Sequence, residues 1–423
     1  MNGIKVGDLT RSTSGALAFC YDGTWLDTPA ARPISRSMPL SRKAYATEAY
    51  NYFDNLLPDN PLIRERIQGR FHTDTNHPYD LLAAIGQDCV GAIQLIPKGV
   101  EPKEVRRIVA TPVSDREIAR TLRNYKMEPL GMSGKKDDDF RISIAGAQEK
   151  TALLRHKDQW MRPTGATPTT HILKLPIGIL TQQQMDLTDS CENEWLCLKI
   201  AKAFGLDTCT AEVAIFEDAK ALVVERFDRR YADGWIMRLP QEDMCQALGI
   251  AAGSKYECDN GPGILPIMDL LVHSEESHAD RANFLRSQLL FWLLAGIDGH
   301  AKNFSIFIGP SGRFRMTPLY DIMSAHPLLD AKQLQSQKIK MAMAVSGKNR
   351  HYHWRSIQPR YFISTAQKAR FPTHEATRIV EEMLDRVEEV AGIVSSQVPP
   401  SFPDRIASTI LDGMTRTRAR HTG

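Results

Sequence analysis

The pattern of hydrophobic and polar positions changes twice along the chain and predicts three regions of different structure. In the first 100 residues, Ile4-Lys-Val6 and Ala16–Tyr21 alternate as strands do around a turn-forming segment, and they predict a hairpin. From about residue 138 the hydrophobic positions mostly repeat every two residues, which is typical of strands. Beyond residue 240 the helical period dominates, and helices are predicted over residues 264–274, 280–295, 374–391 and 404–415.

The shorter predicted elements complete this division. Earlier helices are predicted over residues 46–53, 61–68, 79–85, 114–125 and 191–204, and strands over 140–144, 151–154, 170–175 and 221–225. Among the later helices, Asn303–Ile308 and Arg313–Met316 flank Gly309-Pro-Ser-Gly and predict a second hairpin. We therefore expect an α+β chain with an N-terminal α/β subdomain over residues 1–125, a β-rich domain over 126–228 and a mainly helical domain over 229–423.

Composition narrows the class of protein. Of the 423 residues, 42% are hydrophobic and 24% are charged, which is typical of a folded globular protein. The longest apolar run, Leu289–Ile297, is far shorter than the roughly 20 residues that cross a bilayer, so it predicts a buried helix. The first residues lack the pattern of a secretory signal, and we expect a cytoplasmic protein that does not enter a membrane.

The net charge and the spacing of the cysteines argue against a strongly basic nucleic-acid binder, a disulfide framework and a zinc site. A formal net charge of +3 is too small to indicate a strongly basic nucleic-acid binder. Basic patches remain at residues 338–355, at Lys368 with Arg370, and at 416–420, and a solvated surface is the simpler interpretation of each. The seven cysteines are scattered without any Cys-x-x-Cys pair, which indicates reduced thiols and argues against a disulfide framework or a zinc site.

The strongest chemical motif runs from Gly296 to Asn303 and continues after the predicted hairpin at Tyr320-Asp321-Ile322. Phosphoryl transfer needs a carboxylate that accepts the proton of the attacking hydroxyl, and oxygen ligands that hold Mg²⁺ on the phosphates. Asp298 fits the first role, and Asn303, five positions later as in kinase catalytic loops, fits the second together with Asp321. The alternative is that Asp298-Gly and Tyr320-Asp are merely turn residues.

A lysine in the strand-rich region is placed to bind phosphates. In Ile172-Leu-Lys-Leu-Pro176, alternation sets Leu173 and Leu175 on one face of the strand and Lys174 on the other. An ammonium group there can neutralise the α- and β-phosphates of ATP. An edge-strand lysine that discourages aggregation is an equally good explanation of this residue taken alone.

Two further segments are candidates for nucleotide contact. The turn Ser143–Lys150 has small residues that allow backbone N–H groups to approach phosphate, although its single glycine matches no standard phosphate-loop pattern. The segment Glu225-Arg226-Phe227 follows an apolar strand, where adenine would be bound by main-chain atoms. The residues assigned to ATP are Ala145, Gly146, Ala147, Gln148, Glu149, Lys150, Lys174, Glu225, Arg226, Phe227, His300, Lys302, Asn303, Tyr320 and Asp321.

Taken together, these motifs resemble the HipA family, the kinase toxins of bacterial HipBA toxin–antitoxin modules. The resemblance covers nearly the whole chain, but it fades beyond about residue 355. It is carried by Phe53–Asp59, Arg141–Lys150, Thr169–Pro176, Val224–Arg230, Leu239–Gln246, Asp298–Asn303 and Tyr320–Ile322.

The resemblance implies a bilobal, protein-kinase-like fold and a serine/threonine kinase that uses ATP and Mg²⁺. Asp298 would be the base and Lys174 the phosphate-binding lysine, and Ser143 matches the autophosphorylation site that switches the family's enzymes off. The implied substrate is glutamyl-tRNA synthetase, whose modification halts translation and leads to growth arrest and persistence. The implied partners are a HipB-like helix-turn-helix antitoxin and its operator DNA, with Lys368 and Arg370 at the position of the family's DNA contact.

Two other functions stay open on the sequence alone. A small-molecule kinase of the aminoglycoside or lipid type uses the same base, amide and carboxylate with an equally degenerate phosphate loop. An inactive ATP-binding protein that represses transcription beside an antitoxin is the second alternative, and the complete set of charged groups argues against it.

Overall fold

The computed structural model describes residues 1–127, 142–143 and 148–420, in which strands are concentrated in the first 250 residues and helices in the rest. The strands are β1 (Gly7–Arg11), β2 (Leu17–Tyr21), β3 (Asp88–Cys89), β4 (Ala110–Pro112), β5 (Ile142–Ser143), β6 (Lys150–His156), β7 (Gln159–Pro163), β8 (His171–Lys174), β9 (Gly178–Leu180), β10 (Met185–Leu187), β11 (Ala211–Phe216), β12 (Ala219–Glu225), β13 (Arg229–Ala232), β14 (Trp235–Arg238), β15 (Gln241–Asp243), β16 (Ser305–Ile308), β17 (Phe314–Met316), β18 (Lys340–Ser346) and β19 (Arg350–His353).

The α-helices are α1 (Gly23–Leu26), α2 (Thr47–Asp54), α3 (Pro61–Phe71), α4 (Pro78–Ile85), α5 (Asp115–Met127), α6 (Ser190–Ala203), α7 (Met244–Ala247), α8 (Ile264–Leu270), α9 (Ser277–Leu293), α10 (His326–Asp330), α11 (Pro359–Lys368), α12 (Thr373–Asp385), α13 (Val387–Ser395) and α14 (Asp404–Ala419). Short 3₁₀ turns stand between them at Ala252–Ser254, Glu257–Asp259, Leu271–His273, Ala301–Asn303, Pro310–Gly312 and Trp354–Ser356. The chain divides into two compact units. Unit 1 comprises Met1–Leu175, Ala214–Gly253 and Ile306–Arg313, and unit 2 comprises Pro176–Val213, Ser254–Ser305 and Phe314–Gly423.

The N-terminal part of unit 1 is a small α/β assembly with its own core. Strands β1 and β2 pair antiparallel, and α2 and α4 bury aromatic and aliphatic side chains against β2. Helices α3 and α4 both begin with proline, which suits the first helical position because its missing N–H would have no helical partner there. The residues that form this core include Phe19, Tyr21, Tyr52, Phe53, Leu57, Leu81 and Leu82.

A six-stranded sheet in the order β11-β12-β8-β6-β7-β4 supports the rest of unit 1. Its central strands β12, β8 and β6 run antiparallel, so Leu173 pairs with Val223 on one side and with Thr151 on the other. The apolar face packs on the amphipathic helix α5 through Ile118 and Leu122. Because Leu173 and Leu175 lie in this core, the predicted alternation along β8 is confirmed.

A buried cluster of ionised groups joins β3 to the end of the sheet. The carboxylate of Asp88 accepts hydrogen bonds from Arg229 and Arg238 at 3.0 and 3.1 Å, and from the Thr169 amide at 3.0 Å. Arg226 bonds Asp228 at 2.8 Å. Burial alone would raise the pKa of Asp88, but the three arginines lower it below its ordinary range. The charged motif Val224–Arg230 therefore holds unit 1 together.

Unit 2 is mainly helical and is built around α9. The side chains of Leu289, Leu290, Trp292 and Leu293 are almost fully buried, which confirms the buried helix predicted from the apolar run. Trp292 and Trp354 exchange indole-to-carbonyl hydrogen bonds of 3.3 and 2.8 Å, which satisfies both buried N–H groups. No helix in the described part of the chain is long and apolar enough to span a membrane.

Two predicted elements differ from the structure, and two observed features were not predicted. The first hairpin is present, but its first strand covers Gly7–Arg11 instead of residues 4–6. The helix predicted over residues 374–391 is divided at Arg386 into α12 and α13. The guanidinium of Arg386 donates 3.0 Å to the carbonyl of Ala203 near the end of α6, and this tertiary contact is not visible in local sequence. The β18–β19 hairpin and α11 were not predicted.

The second predicted hairpin agrees with the structure. Strands β16 and β17 lie where the second hairpin was predicted, and the Gly309 amide donates to the Arg313 carbonyl at 2.6 Å across the turn. The seven cysteines, all of which lie in the described residues, form no disulfide; Cys20 and Cys258 are exposed and the others are buried. The three contiguous domains expected from the sequence stay a prediction.

Candidate active site

The segment that presents Asp298 begins where α9 ends. Ala295 adopts a left-handed backbone conformation with φ 49°, and the Gly296 amide donates 2.6 Å to the Phe291 carbonyl, so the chain turns sharply away from the helix. A Cβ atom on Gly299 would lie 2.8 Å from the ring of Phe291, a contact that only glycine avoids. These small residues let the loop fold against the helix and leave the Asp298 side chain exposed.

Asn303 ties this loop to the segment that carries Asp321. Its Nδ2 group donates to the Asp298 carbonyl at 2.9 Å and to the Asp321 carbonyl at 3.3 Å. The His300 amide also donates to the Asp298 carbonyl, at 2.8 Å, and the Asn303 amide to the His300 carbonyl, at 2.9 Å. The structure therefore brings together the three residues that the sequence assigned to proton transfer and metal binding.

The residues around Asp321 are fixed in the same way. Asp321 has a φ of 57°, a left-handed conformation that aspartate tolerates better than most residues. The Tyr320 hydroxyl donates 2.9 Å to the Lys302 carbonyl and also hydrogen-bonds Ser305. Lys302 and His300 are both buried beside the loop. A rigid hydrogen-bonded frame thus surrounds the two carboxylates.

The orientation of the Asn303 amide fits a magnesium ligand. Both groups bonded to Nδ2 are carbonyl oxygens, which only accept hydrogen bonds, so the amide nitrogen must face them. The Oδ1 atom is then available to a cation, and carboxylate and amide oxygens are ligands that Mg²⁺ accepts. In the described part of the chain, no group of three His, Cys, Asp or Glu side chains could hold a metal. A magnesium ion here would rely on Asn303, Asp321, water and nucleotide phosphates.

Tyr256 contacts Asp298 in the candidate site, and the sequence did not reveal this contact. Its hydroxyl donates to Oδ1 of Asp298, and its ring packs edge-on against His300 with centroids 5.0 Å apart. The Lys255 carbonyl accepts a 3.3 Å hydrogen bond from the Ala301 amide, which joins the two segments a second time. One oxygen of the Asp298 carboxylate therefore accepts a hydrogen bond from the phenol.

We expect Tyr256→Phe to lower kcat roughly tenfold, because the phenol that orients the Asp298 carboxylate is lost, at a cost of about 1.4 kcal/mol. The KM for ATP and the melting temperature should not change, because the ring and its packing remain. Steady-state kinetics with Tyr361→Phe as the control test this, since the Tyr361 ring stacks on His351 and this variant also removes a single phenol hydroxyl. An unchanged kcat would mean that the hydroxyl does not position the base.

In unit 1, the two predicted phosphate-binding lysines lie side by side. Lys150 on β6 and Lys174 on β8 are direct cross-strand partners, so their side chains project from the same face of the sheet. Lys174 is buried and Lys150 is partly buried. Two adjacent ammonium groups on one face form an arrangement suited to a polyphosphate.

Of the other residues in the predicted phosphate loop, the structure describes Gln148, Glu149 and the backbone of Ser143. Ala145, Gly146 and Ala147 lie outside the described residues. Gln148 donates to the Leu175 carbonyl, and Glu149 forms an ion pair with Arg66. Ser143 is described in its backbone, which pairs in parallel with Cys89 of β3.

The predicted adenine segment lies at the end of β12, where Glu225 is exposed and Phe227 is partly buried against Phe307. The Arg226 amide donates 2.8 Å to the Thr170 carbonyl, and its guanidinium belongs to the buried ionic cluster. The side chain of Arg226 is therefore structural. The assignment of this segment to adenine stays a prediction about main-chain atoms.

The two residues predicted to contact DNA belong to unit 2 and already have protein partners. Lys368 donates 2.7 Å to the Gly347 carbonyl, and Arg370 pairs with Asp269 at 3.0 Å. Both contacts are exposed, so they leave the basic groups accessible. Contact with DNA stays a prediction.

Known proteins resemble this chain in sequence and in fold. Residues 142–391 match the HipA-like C-terminal domain and residues 1–96 the HipA N-terminal domain. A Sinorhizobium fredii protein provisionally named as the kinase Y4mE is 34% identical over 339 residues, or 78% of each chain. The serine/threonine-protein kinase toxin HipA of Shewanella oneidensis is 28% identical over 356 residues, which cover 81% of this chain and 76% of the toxin.

A solved structure extends the match to three dimensions. The complex of HipA, HipB and operator DNA from Shewanella oneidensis matches with a TM-score of 0.82 at 24% identity. The alignment covers 100% of this chain and 96% of the matched chain. It confirms the predicted α+β, kinase-like fold class.

Proposed function

This chain belongs to the HipA family, and we therefore propose that it transfers the γ-phosphoryl group of ATP to serine or threonine hydroxyls of another protein. It is a protein kinase, as is its relative HipA of Shewanella oneidensis. The observation that carries the proposal is the Asn303 side chain, which bonds the backbone of both Asp298 and Asp321. These two hydrogen bonds join the proposed base, Asp298, to the proposed metal ligand, Asp321, through Asn303.

In the proposed reaction, the substrate hydroxyl gives its proton to Asp298 while its oxygen bonds to the γ-phosphorus and ADP leaves. Tyr256 holds the other oxygen of that carboxylate. Asn303 and Asp321 would hold Mg²⁺, which supplies positive charge at the phosphates when bound. Lys150 and Lys174 bind phosphate oxygens, and main-chain atoms of residues 225–227 hold adenine.

The substrate and the biological role follow from the family resemblance. The enzyme acts as the toxin of a toxin–antitoxin module and phosphorylates glutamyl-tRNA synthetase, which halts translation and produces growth arrest and persistence. Phosphorylation of Ser143 would inactivate it, because a dianion in the predicted phosphate loop would compete with the phosphates of ATP. A HipB-like antitoxin binds it, and the pair represses its operon on operator DNA, which the HipA, HipB and operator DNA complex of Shewanella oneidensis supports.

Labelling with [γ-³²P]ATP tests the proposal. Purified protein, Mg²⁺ and a bacterial lysate should give one dominant labelled lysate protein, which mass spectrometry would identify, together with self-labelling. Ser143→Ala should lose the self-label and still label the lysate protein.

Two results would support the alternative functions. Label that enters small metabolites and leaves proteins unlabelled would indicate a small-molecule kinase. Complete absence of label, with growth inhibition preserved in Asp298→Asn, would indicate an inactive binding protein.

A further inference from the structure

The N-terminal region of unit 1 contacts the segment that carries Lys150. Arg66 on α3 forms an ion pair with the carboxylate of Glu149. Both side chains are partly exposed, at 29% and 28%. Glu149 was predicted to contact ATP, but its carboxylate, which would repel phosphate, is paired with an arginine from outside the sheet.

Arg66 sits on a helix that is anchored firmly at its start. The Asn60 side chain accepts a 2.9 Å hydrogen bond from the Leu62 amide and caps α3. Arg64, two residues before Arg66, donates 2.6 Å to the Asp54 carboxylate and 2.6 Å to the Pro58 carbonyl. The helix therefore presents Arg66 from a fixed position.

Glu149 lies immediately before β6, and hydrogen bonds join this part of the chain to Leu175. Its carbonyl accepts a 3.2 Å hydrogen bond from the Leu175 amide, and the preceding Gln148 donates to the Leu175 carbonyl. The next residue, Lys150, pairs with Lys174. A contact that fixes Glu149 thus fixes where β6 begins and where the Lys150 side chain stands.

A second contact from the N-terminal region supports the same interpretation. Strand β3 pairs in parallel with β5, with Cys89 opposite Ser143. The Cys89 carbonyl accepts hydrogen bonds from Arg226 at 2.8 Å and Arg229 at 2.9 Å, so β3 is rigidly held by the buried cluster. The N-terminal region therefore contacts the chain both before and after residues 144–147.

We propose that Arg66 is a positioning residue which, through Glu149, holds Lys150 beside Lys174 and so raises the affinity of the protein for ATP. The proposal rests on the proposed kinase function in assigning both lysines to phosphate. It gives the N-terminal region an indirect part in nucleotide binding, through the position of Lys150. A partly exposed ion pair of this kind can change affinity by up to about fivefold.

A charge exchange tests the contact. Arg66→Glu should raise the Kd for MgATP, measured by calorimetry, and the KM for ATP by roughly fivefold with kcat unchanged. Adding Glu149→Arg to Arg66→Glu should return both values to within about twofold of the unmodified protein, because the pair is restored in reverse. Arg70→Glu is the matched control, since it makes the same charge change one turn further along α3.

Hydrogen exchange without nucleotide separates this proposal from the proposed function. Amides of residues 148–156 should exchange faster in Arg66→Glu than in Arg70→Glu, and the double substitution should restore protection. If the unmodified protein binds no ATP, the kinase assignment and the claimed effect on affinity both fail. Faster exchange in Arg66→Glu would then still support the claim that the Arg66–Glu149 ion pair holds the start of β6 in place. If Arg66→Glu matches Arg70→Glu in both exchange and MgATP affinity, or if the double substitution rescues neither, the proposal is wrong.

Discussion

Replacing Asp298 with asparagine is expected to lower the rate of phosphoryl transfer by a factor of roughly 10² to 10⁴. Asparagine has nearly the same size, but its amide cannot accept the proton of the attacking hydroxyl. The fold should be preserved, because Asp298 is exposed and the loop is held through its backbone carbonyl by Asn303 and His300. Initial rates of transfer from [γ-³²P]ATP to protein would measure the loss.

The control for this experiment is Asp412→Asn, the same substitution at an exposed position of α14 in the same unit. Calorimetry with MgATP should give similar affinities for both variants, since proton acceptance is not needed for binding. If Asp298→Asn keeps a transfer rate within about twofold of Asp412→Asn, Asp298 is not the base and the proposed mechanism must be abandoned.

The second large effect is expected at Asp88, whose replacement by asparagine should lower the free energy of unfolding by about 3–5 kcal/mol. The carboxylate faces Arg226, Arg229 and Arg238 in the interior of unit 1. Without its charge, Arg226 and Arg229 would still pair with Asp228, but Arg238 would lose its ion pair with Asp88. Urea denaturation followed by circular dichroism would measure the change.

Asp218→Asn provides the comparison, because it also removes one carboxylate from an arginine but at the surface, where Arg123 pairs with Asp218. Its urea midpoint should stay close to that of the unmodified protein. Equal midpoints for Asp88→Asn and Asp218→Asn would show that the buried cluster adds no more stability than an exposed pair.

The parts of the candidate site that local sequence could predict are those that depend on short spacing. Asp298 and Asn303 are five positions apart, and a predicted hairpin separates them from Asp321, so one motif indicated all three. The strand alternation that set Lys174 opposite the apolar face is likewise local, and the core confirms it. Their roles in catalysis stay predictions until they are measured.

Contacts between residues that are far apart in the sequence could not be predicted from local patterns. Tyr256 reaches Asp298 across 42 positions, and Arg238 reaches Asp88 across 150, with no pattern between them. Periodicity also suggested one helix over residues 374–391, since neither proline nor glycine interrupts it before Gly392. The division at Arg386 coincides with its contacts to Ala203 and Phe204, which no local rule contains.

The order in which the chain supplies unit 1 has a consequence for its synthesis. Unit 1 is formed by three separate stretches of the 423-residue chain. The last of them, Ile306–Arg313, comes after Asp298 and Asn303 in the sequence. A ribosome delivers residues from the N-terminus onward, and compact units fold as wholes. An interrupted translation product that stops before residue 306 therefore lacks a complete unit 1 as well as Asp321, and we expect such a product to have no kinase activity.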